Sequence, residues 1–226
     1  MEGVFGEMTP TKYMQQKDRS LQLHNESEYS GIDGNNYFSF NSGGVECEIG
    51  EFLFAMVRVL KPEYVLETGT HEGIGASYMA LGCKENGFGE VHTIEFLPEN
   101  HLKSKNRFKK LALDKYVVSS LMDVADYEPE FEYGMILLDT EPQTRFAELL
   151  QFYKSLKPGG YLFIHDLHRH MHQIDNQEHG FAWPYGRIPE AMNTLIINGS
   201  LRPFHFPTPR GMTGFYKTTE QDYQWT

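Results

Sequence analysis

The feature that most restricts how this chain can fold is a hydrophobic pattern that switches period again and again after residue 45. Ile49, Phe52, Leu53, Met56, Val57 and Leu60 recur at three- and four-residue spacing, which predicts an amphipathic helix ended by Lys61-Pro62. Tyr64 to Glu67 then reads as a first strand, residues 69–75 as a glycine-bearing turn, and Ala76 to Cys83 as a helix. The rhythm repeats: strand Glu90 to Glu95, helix Pro98 to Leu113, strand Tyr116 to Leu121, strand Gly134 to Leu138, helix Phe146 to Leu156, strand Tyr161 to Ile164. Strands alternating with helices at this spacing predict a parallel sheet with helices on both faces. After a further helix, Pro189 to Ile197, the β-like runs Leu201 to Phe206 and Met212 to Lys217 are joined by only Pro207 to Gly211. A parallel crossover needs a dozen or more residues, so these two must pair antiparallel. The expectation is an α/β fold with a seven-stranded, mostly parallel sheet and a C-terminal antiparallel hairpin.

Two parts stand outside the rhythm. Residues 1–45 form a polar lead-in with room for one helix near residues 10–24, placed on the substrate side or at an oligomer contact. Residues 46–226 form the main domain, with a His-rich insert at 165–187 whose Phe181, Trp183 and Tyr185 suit a lid over an organic ligand. The basic run from Lys103 to Lys110 reads as a solvated helix face, because 31 acids against 20 bases give a net charge of −11. That balance argues against nucleic acid or an anionic membrane as partner, since both need surplus Lys and Arg. Cys47 and Cys83 fit no disulfide or zinc framework. No run reaches the ~18 apolar residues of a membrane span, and the N-terminus has no signal-peptide pattern, so a soluble, cytoplasmic protein is expected.

Chemistry-bearing residues fall at the predicted strand ends. Glu67-Thr68-Gly69-Thr70-His71-Glu72-Gly73-Ile74-Gly75 closes the first strand and opens its helix, where glycine lets backbone approach a ligand and free N–H groups can meet an anion. A purely structural turn is the plainer alternative. In open α/β sheets, however, ligands bind beyond the carboxyl ends of the strands, at the switch point. Glu95 ends the second strand at the distance where an acid accepts hydrogen bonds from the ribose of an adenosine-containing cofactor.

With these residues in view, the sequence resembles the class I S-adenosylmethionine-dependent methyltransferases, and among them the small-molecule O-methyltransferases of catechol, caffeoyl-CoA and sugar or macrolide type. The resemblance runs from about Gly50 to Lys217. It rests on Gly50-Glu51-Phe52-Leu53, the Glu67–Gly75 turn, Glu95, Asp123, Leu137-Leu138-Asp139, Leu156-Lys157-Pro158-Gly159-Gly160 and the final hairpin. It implies a Rossmann-like sheet. It also implies S-adenosylmethionine as cofactor, with Glu67, Gly69, Thr70, His71, Gly73, Gly75 and Ser77 near its methionine part. Glu95 would hold the ribose, Phe96 would flank the adenine, and Asp123, with Met122 beside it, would meet the adenine edge. Asp123 also suits a plain strand-end turn.

Asp139 and Asp166 end the fourth and fifth strands, so both carboxylates should meet at one sheet edge and suit a divalent cation such as Mg²⁺. They match the metal aspartates of the resembled family, with His165 as a further ligand and Asp139 alternatively on the cofactor side. Two departures stand out: Leu167 replaces an expected Asn, and Pro142 an expected catalytic Lys. The general base is therefore open, with His168 narrowly favoured over His165 and His71 as a third option, while Asp139 counts with His168 and His165 among the candidate catalytic residues. The function expected is O-methylation of a small-molecule hydroxyl with divalent-metal assistance. The alternatives are a catalytically inactive protein that binds S-adenosylmethionine or S-adenosylhomocysteine, and a dinucleotide-dependent oxidoreductase. Self-association into a homo-oligomer is left open.

Overall fold

A computed structural model describes residues 28–32, 35–39, 44–141, 144–166, 190–206 and 211–219. Two short strands, β1 (Glu28–Ile32) and β2 (Asn35–Ser39), pair antiparallel. This hairpin is a difference from the expected lead-in, whose predicted helix near 10–24 lies outside the described residues. The main sheet follows: α1 (Cys47–Leu60), β3 (Tyr64–Thr68), α2 (Ile74–Asn86), β4 (Glu90–Glu95), α3 (Pro98–Lys110), β5 (Val117–Leu121), β6 (Tyr133–Leu138), α4 (Arg145–Phe152), β7 (Leu156–His165), α5 (Glu190–Ile197), β8 (Leu201–Phe206) and β9 (Met212–Lys217).

The seven strands lie in the order β5-β4-β3-β6-β7-β9-β8. The first five run parallel, and β9 pairs antiparallel with both β7 and β8, as the short β8–β9 connection requires. The chain lays β4 and β5 on one side of β3 and then returns to place β6 on the other. That reversal opens a crevice beyond Thr68 and Leu138, which are register partners.

Side chains alternate across the strands because the pleat has a period of two. Val65, Met135, Leu137 and Phe163 face a core shared with Leu53, Phe54 and Val57 of α1 and Met79 of α2. Leu66, Ile136, Leu138, Leu162 and Ile164 face the opposite core, closed by Leu149 and Phe152 of α4. Two buried faces explain why these strands read as continuous apolar runs.

The Lys157-Pro158-Gly159-Gly160 segment, expected to be a turn before its strand, is a bulge inside β7: Tyr133 pairs with Leu156, yet Met135 pairs with Tyr161. Cys47 and Cys83 are both buried. No helix among the described residues is long and apolar enough to cross a membrane.

Candidate active site

The turn between β3 and α2 is held from beneath by hydrogen bonds. The Gly69 and Thr70 amides donate to the Ile94 carbonyl at 3.1 and 3.0 Å, and Gly73 donates to Thr70 O at 2.8 Å. Gly69 has φ +78°, and a Cβ there would stand 2.4 Å from the Asp139 carbonyl oxygen, so backbone crowding and handedness both demand glycine. At Gly75 a Cβ would come within 2.4 Å of Glu67 Oε1, so the missing side chain is what lets that carboxyl lie against the start of α2.

Glu67 is buried and accepts from Thr93 Oγ1 at 2.5 Å, while Thr93 Oγ1 also meets Thr70 Oγ1 at 2.5 Å. Burial pushes its carboxyl well above the usual carboxylate range; the Thr93 hydrogen bond opposes this, and nearby Asp139 and Glu95 add to it. A cleft above is lined by Val45, Glu67, Gly69, Thr70, His71, Ile74, Gly75 and Asp139. His71 sits there at φ +48° with its Nδ1 buried and without a hydrogen-bond partner.

Glu95 is buried at the end of β4. Its Oε2 accepts from the His71 amide at 2.6 Å and its Oε1 from the Leu97 amide at 2.9 Å. It therefore fixes the backbone on both sides of the cleft, and each oxygen keeps a lone pair for a further donor. Phe96 is exposed beside it, and Met122 follows β5 with its amide on Glu95 O at 2.9 Å. Exposed Asp123 caps a short 3₁₀ turn, accepting from the Ala125 amide at 2.9 Å. Ser77 differs from expectation: it is fully buried, outside the cleft lining, and its hydroxyl donates to Gly73 O at 2.5 Å, the bond of a helical serine to the preceding turn.

Asp139, His165 and Asp166 do come together, with one potential ligand atom from each inside a 4.8 Å group. Asp166 adopts φ +56°, which turns its side chain back toward the cluster. The sequence reading missed two members. Arg145, at the start of α4 and 3% exposed, places Nη2 3.3 Å from Asp139 Oδ1 and 3.4 Å from Asp166 Oδ2. Its Nε donates to Thr140 O at 2.8 Å, Nη2 also donates to Thr140 O, and Nη1 donates to His165 O. Glu46, just before α1, places Oε2 2.7 Å from His165 Nε2. His165 Nδ1 faces Asp139 Oδ1 at 3.0 Å.

Burial alone would lower the pKa of His165, but the carboxylates of Asp166, Asp139 and Glu46 outweigh it and hold the imidazole at about 10. With both nitrogens donating to carboxylates and no exposed surface, His165 cannot act as the base suggested for it. His168, Leu167, Pro142 and the aromatic part of the insert lie outside the described residues. Arg145 carried no local signal beyond its position six residues after Asp139, and Glu46 only its place at the start of the first helical pattern.

Residues 66–167 match a family described as a methyltransferase domain. Among curated relatives, a protein named as an O-methyltransferase from Mycobacterium sp. (strain JLS) is 22% identical over 128 residues, 55% of this chain and 57% of the relative. A protein-L-isoaspartate O-methyltransferase from Methanopyrus kandleri is 33% identical over 123 residues, 53% and 52% of the two chains. The matched region thus spans a little over half the length of these relatives. Among solved structures, the O-methyltransferase from Bacillus cereus in complex with S-adenosylhomocysteine superposes with a TM-score of 0.63 at 16% identity, covering 95% of this chain and 94% of that one. The O-methyltransferase TomG from Streptomyces achromogenes, complexed with S-adenosylmethionine, gives 0.63 at 12% identity, covering 96% and 93%. At such identities the likeness speaks for the fold. In sheet order, and in the glycine turn at the switch point, the region 66–167 of this chain is thus similar to a methyltransferase domain.

Proposed function

We propose that this protein transfers a methyl group from S-adenosylmethionine to a hydroxyl oxygen of a small molecule. The observation that carries the reading is the Glu67 carboxyl buried beneath the glycine turn at the sheet's switch point, inside the region of the family match. Relatives named as O-methyltransferases support the choice of acceptor atom.

The residues present fit the cofactor. Gly69 and Gly75 let the Asp139 backbone and the Glu67 carboxyl close in on the turn, and His71 Nδ1 in the cleft lining is a buried polar atom without a partner. Glu67, Gly69, Thr70, His71, Gly73 and Gly75 would receive the methionine part. Glu95 would hold the ribose, Phe96 and Met122 the adenine faces, and Asp123 its edge, with Asp139 closing the cleft floor. Bound there, the cofactor supplies a methyl on a cationic sulfonium, transferred in line to the acceptor oxygen with release of a neutral thioether. The protein's part is to hold the two reactants in register and keep water out, which is worth several kcal/mol when the geometry is tight.

The divalent ion expected at Asp139 and Asp166 does not fit this arrangement. The Arg145 guanidinium lies between the two carboxylates and both His165 nitrogens are committed, so no step is routed through a metal. The acceptor proton needs another destination, and we assign it to His168, with the unpartnered His71 Nδ1 as the alternative.

Commitment of His165 and Asp139 to internal pairs also favours a second reading, a protein that binds the cofactor without turnover. Calorimetric titration with S-adenosylhomocysteine and with NAD, followed by a radiolabelled-methyl assay on a hydroxyl panel, separates the readings. Binding with methyl transfer is expected. Binding without transfer to any acceptor selects the second reading, and tight NAD binding with no response to S-adenosylhomocysteine rejects both.

A further inference from the structure

We infer that the Arg145 guanidinium is the resident cation of the Asp139–Asp166 pair, standing where the sequence alone leads one to expect a divalent ion. The inference deepens the proposed function at the same site, but it rests on that reading only for its consequence in turnover.

Asp139, Asp166 and His165 have the donor atoms and the closeness of a cation site, and the two carboxylates already share one guanidinium nitrogen. Arg145 bridges one oxygen of each aspartate through a single nitrogen, at 3.3 and 3.4 Å. A Mg²⁺ ion would need both carboxylates at about 2.0–2.1 Å together with open positions for water. The same space would have to hold the ion and the guanidinium, two cations in contact.

Arg145 is also not placed to swing away. Its remaining donors end on the Thr140 and His165 carbonyls, which are the backbone just beyond β6 and at the end of β7. The start of α4 is tied down further by Glu148, which accepts from Thr68 Oγ1 at 2.6 Å, from Thr144 Oγ1 at 2.9 Å and from Thr140 Oγ1. Leaving would strand a buried guanidinium and two carbonyls.

His165 is committed in the same way. Its Nδ1 lies 3.0 Å from Asp139 Oδ1 and its Nε2 lies 2.7 Å from Glu46 Oε2, so both ring nitrogens are taken up by side chains of the cluster.

The consequence concerns the acceptor. A hydrated metal offers exchangeable positions that select a vicinal diol by chelation, whereas a guanidinium with its donors engaged offers none. Selection of a diol by metal chelation is therefore closed to this site, and Arg145 acts as a positioning residue that fixes the two aspartates.

The test is made on the full-length protein, dialysed against EDTA and then titrated with MnCl₂ by calorimetry, alongside melting curves with and without Mn²⁺. The wild type is expected to show no site tighter than millimolar and no shift in Tm. Arg145→Ala, which empties the position, should gain one Mn²⁺ site at least tenfold tighter and a rise in Tm with Mn²⁺. Arg145→Ala combined with Asp139→Asn should lose both. Arg145→Lys, which keeps a charge, should remain indifferent to the metal. A single micromolar Mn²⁺ site in the wild type that disappears in Asp139→Asn overturns the inference, as does a folded Arg145→Ala that gains no metal site. Should Arg145→Ala not fold, the wild-type and Asp139→Asn titrations decide in either direction. None of these readouts needs turnover, so failure of the proposed activity and failure of this inference are separate results.

Discussion

His165 Nε2 and Glu46 Oε2 meet at 2.7 Å in the interior, across 119 residues of sequence. The bond joins the residue before α1 to the last residue of β7, and both partners are buried. Removing one member of a buried ion pair leaves the other uncompensated and costs about 3–5 kcal/mol. Glu46→Ala should therefore lower Tm by on the order of 10 °C in a chain of this size, read by calorimetry or circular dichroism. An unchanged melting curve would show that the pair contributes nothing to folding.

The same imidazole predicts an alkaline loss of stability. Its pKa rises from the ordinary 6.5 to about 10 in the folded protein, so its contribution is fully present below 6.5 and disappears as pH climbs through about 10. The raised Glu67 carboxyl acts in the same direction, starting from its ordinary 4.5. Melting temperature should fall steadily from neutral pH to pH 10, and His165→Gln should flatten that slope while lowering Tm at pH 7. A wild-type Tm that rises with pH over this range contradicts the assignment.

Glu67 makes cofactor binding a proton-linked event. Burial keeps its carboxyl protonated beyond the usual range in the free protein, and a cationic ammonium brought beside it would favour the ionised form. Binding of S-adenosylhomocysteine should release a proton, so the apparent enthalpy should vary with the ionisation enthalpy of the buffer and affinity should rise with pH near the raised pKa. In Glu67→Gln the buffer dependence should vanish and affinity should drop about tenfold or more. Equal enthalpies in phosphate and Tris for the wild type would remove Glu67 from the binding site.

Two glycines with the same backbone angle provide an internal control. Gly69 and Gly87 both have φ +78°, but a Cβ at Gly69 would lie 2.4 Å from Asp139 O, while one at Gly87 would meet nothing within 4 Å. Gly87→Ala should cost only the ~1–2 kcal/mol of a left-handed alanine. Gly69→Ala should cost more than that and also abolish S-adenosylhomocysteine binding, because the Asp139 backbone must move. Equal destabilisation by the two substitutions would show that the close approach is not tight.

The sheet was largely legible in the sequence because each strand announces itself locally: two buried faces give unbroken apolar runs, and β8 and β9 begin and end at the expected residues. The 157–160 bulge was not, since Pro and two Gly look the same in a turn as in a strand that yields locally to its neighbour. The glycine turn and the strand-end acids were also readable, because both follow from where each strand stops. What the sequence could not show is the neutralisation of those acids. Arg145 meets Asp166 across 21 residues and His165 meets Glu46 across 119, and no periodicity encodes a contact between side chains so far apart. The Ser77 hydroxyl has its partner one turn back in its own helix, a bond that the sequence does not display.

The central position of β3 has a consequence in time. One edge of this strand pairs with β4, which follows within 30 residues, while the other waits for β6 and its Asp139. During synthesis at about 5–20 residues per second, Glu95 and the amides it holds are in place before Arg145 has been added, a gap on the order of 3–10 s. The nascent chain thus carries the Glu95 side of the cleft before the Arg145 side. Asp139 and the cation that neutralises it then emerge only six residues apart, so the carboxylate is exposed without its partner for about a second at most.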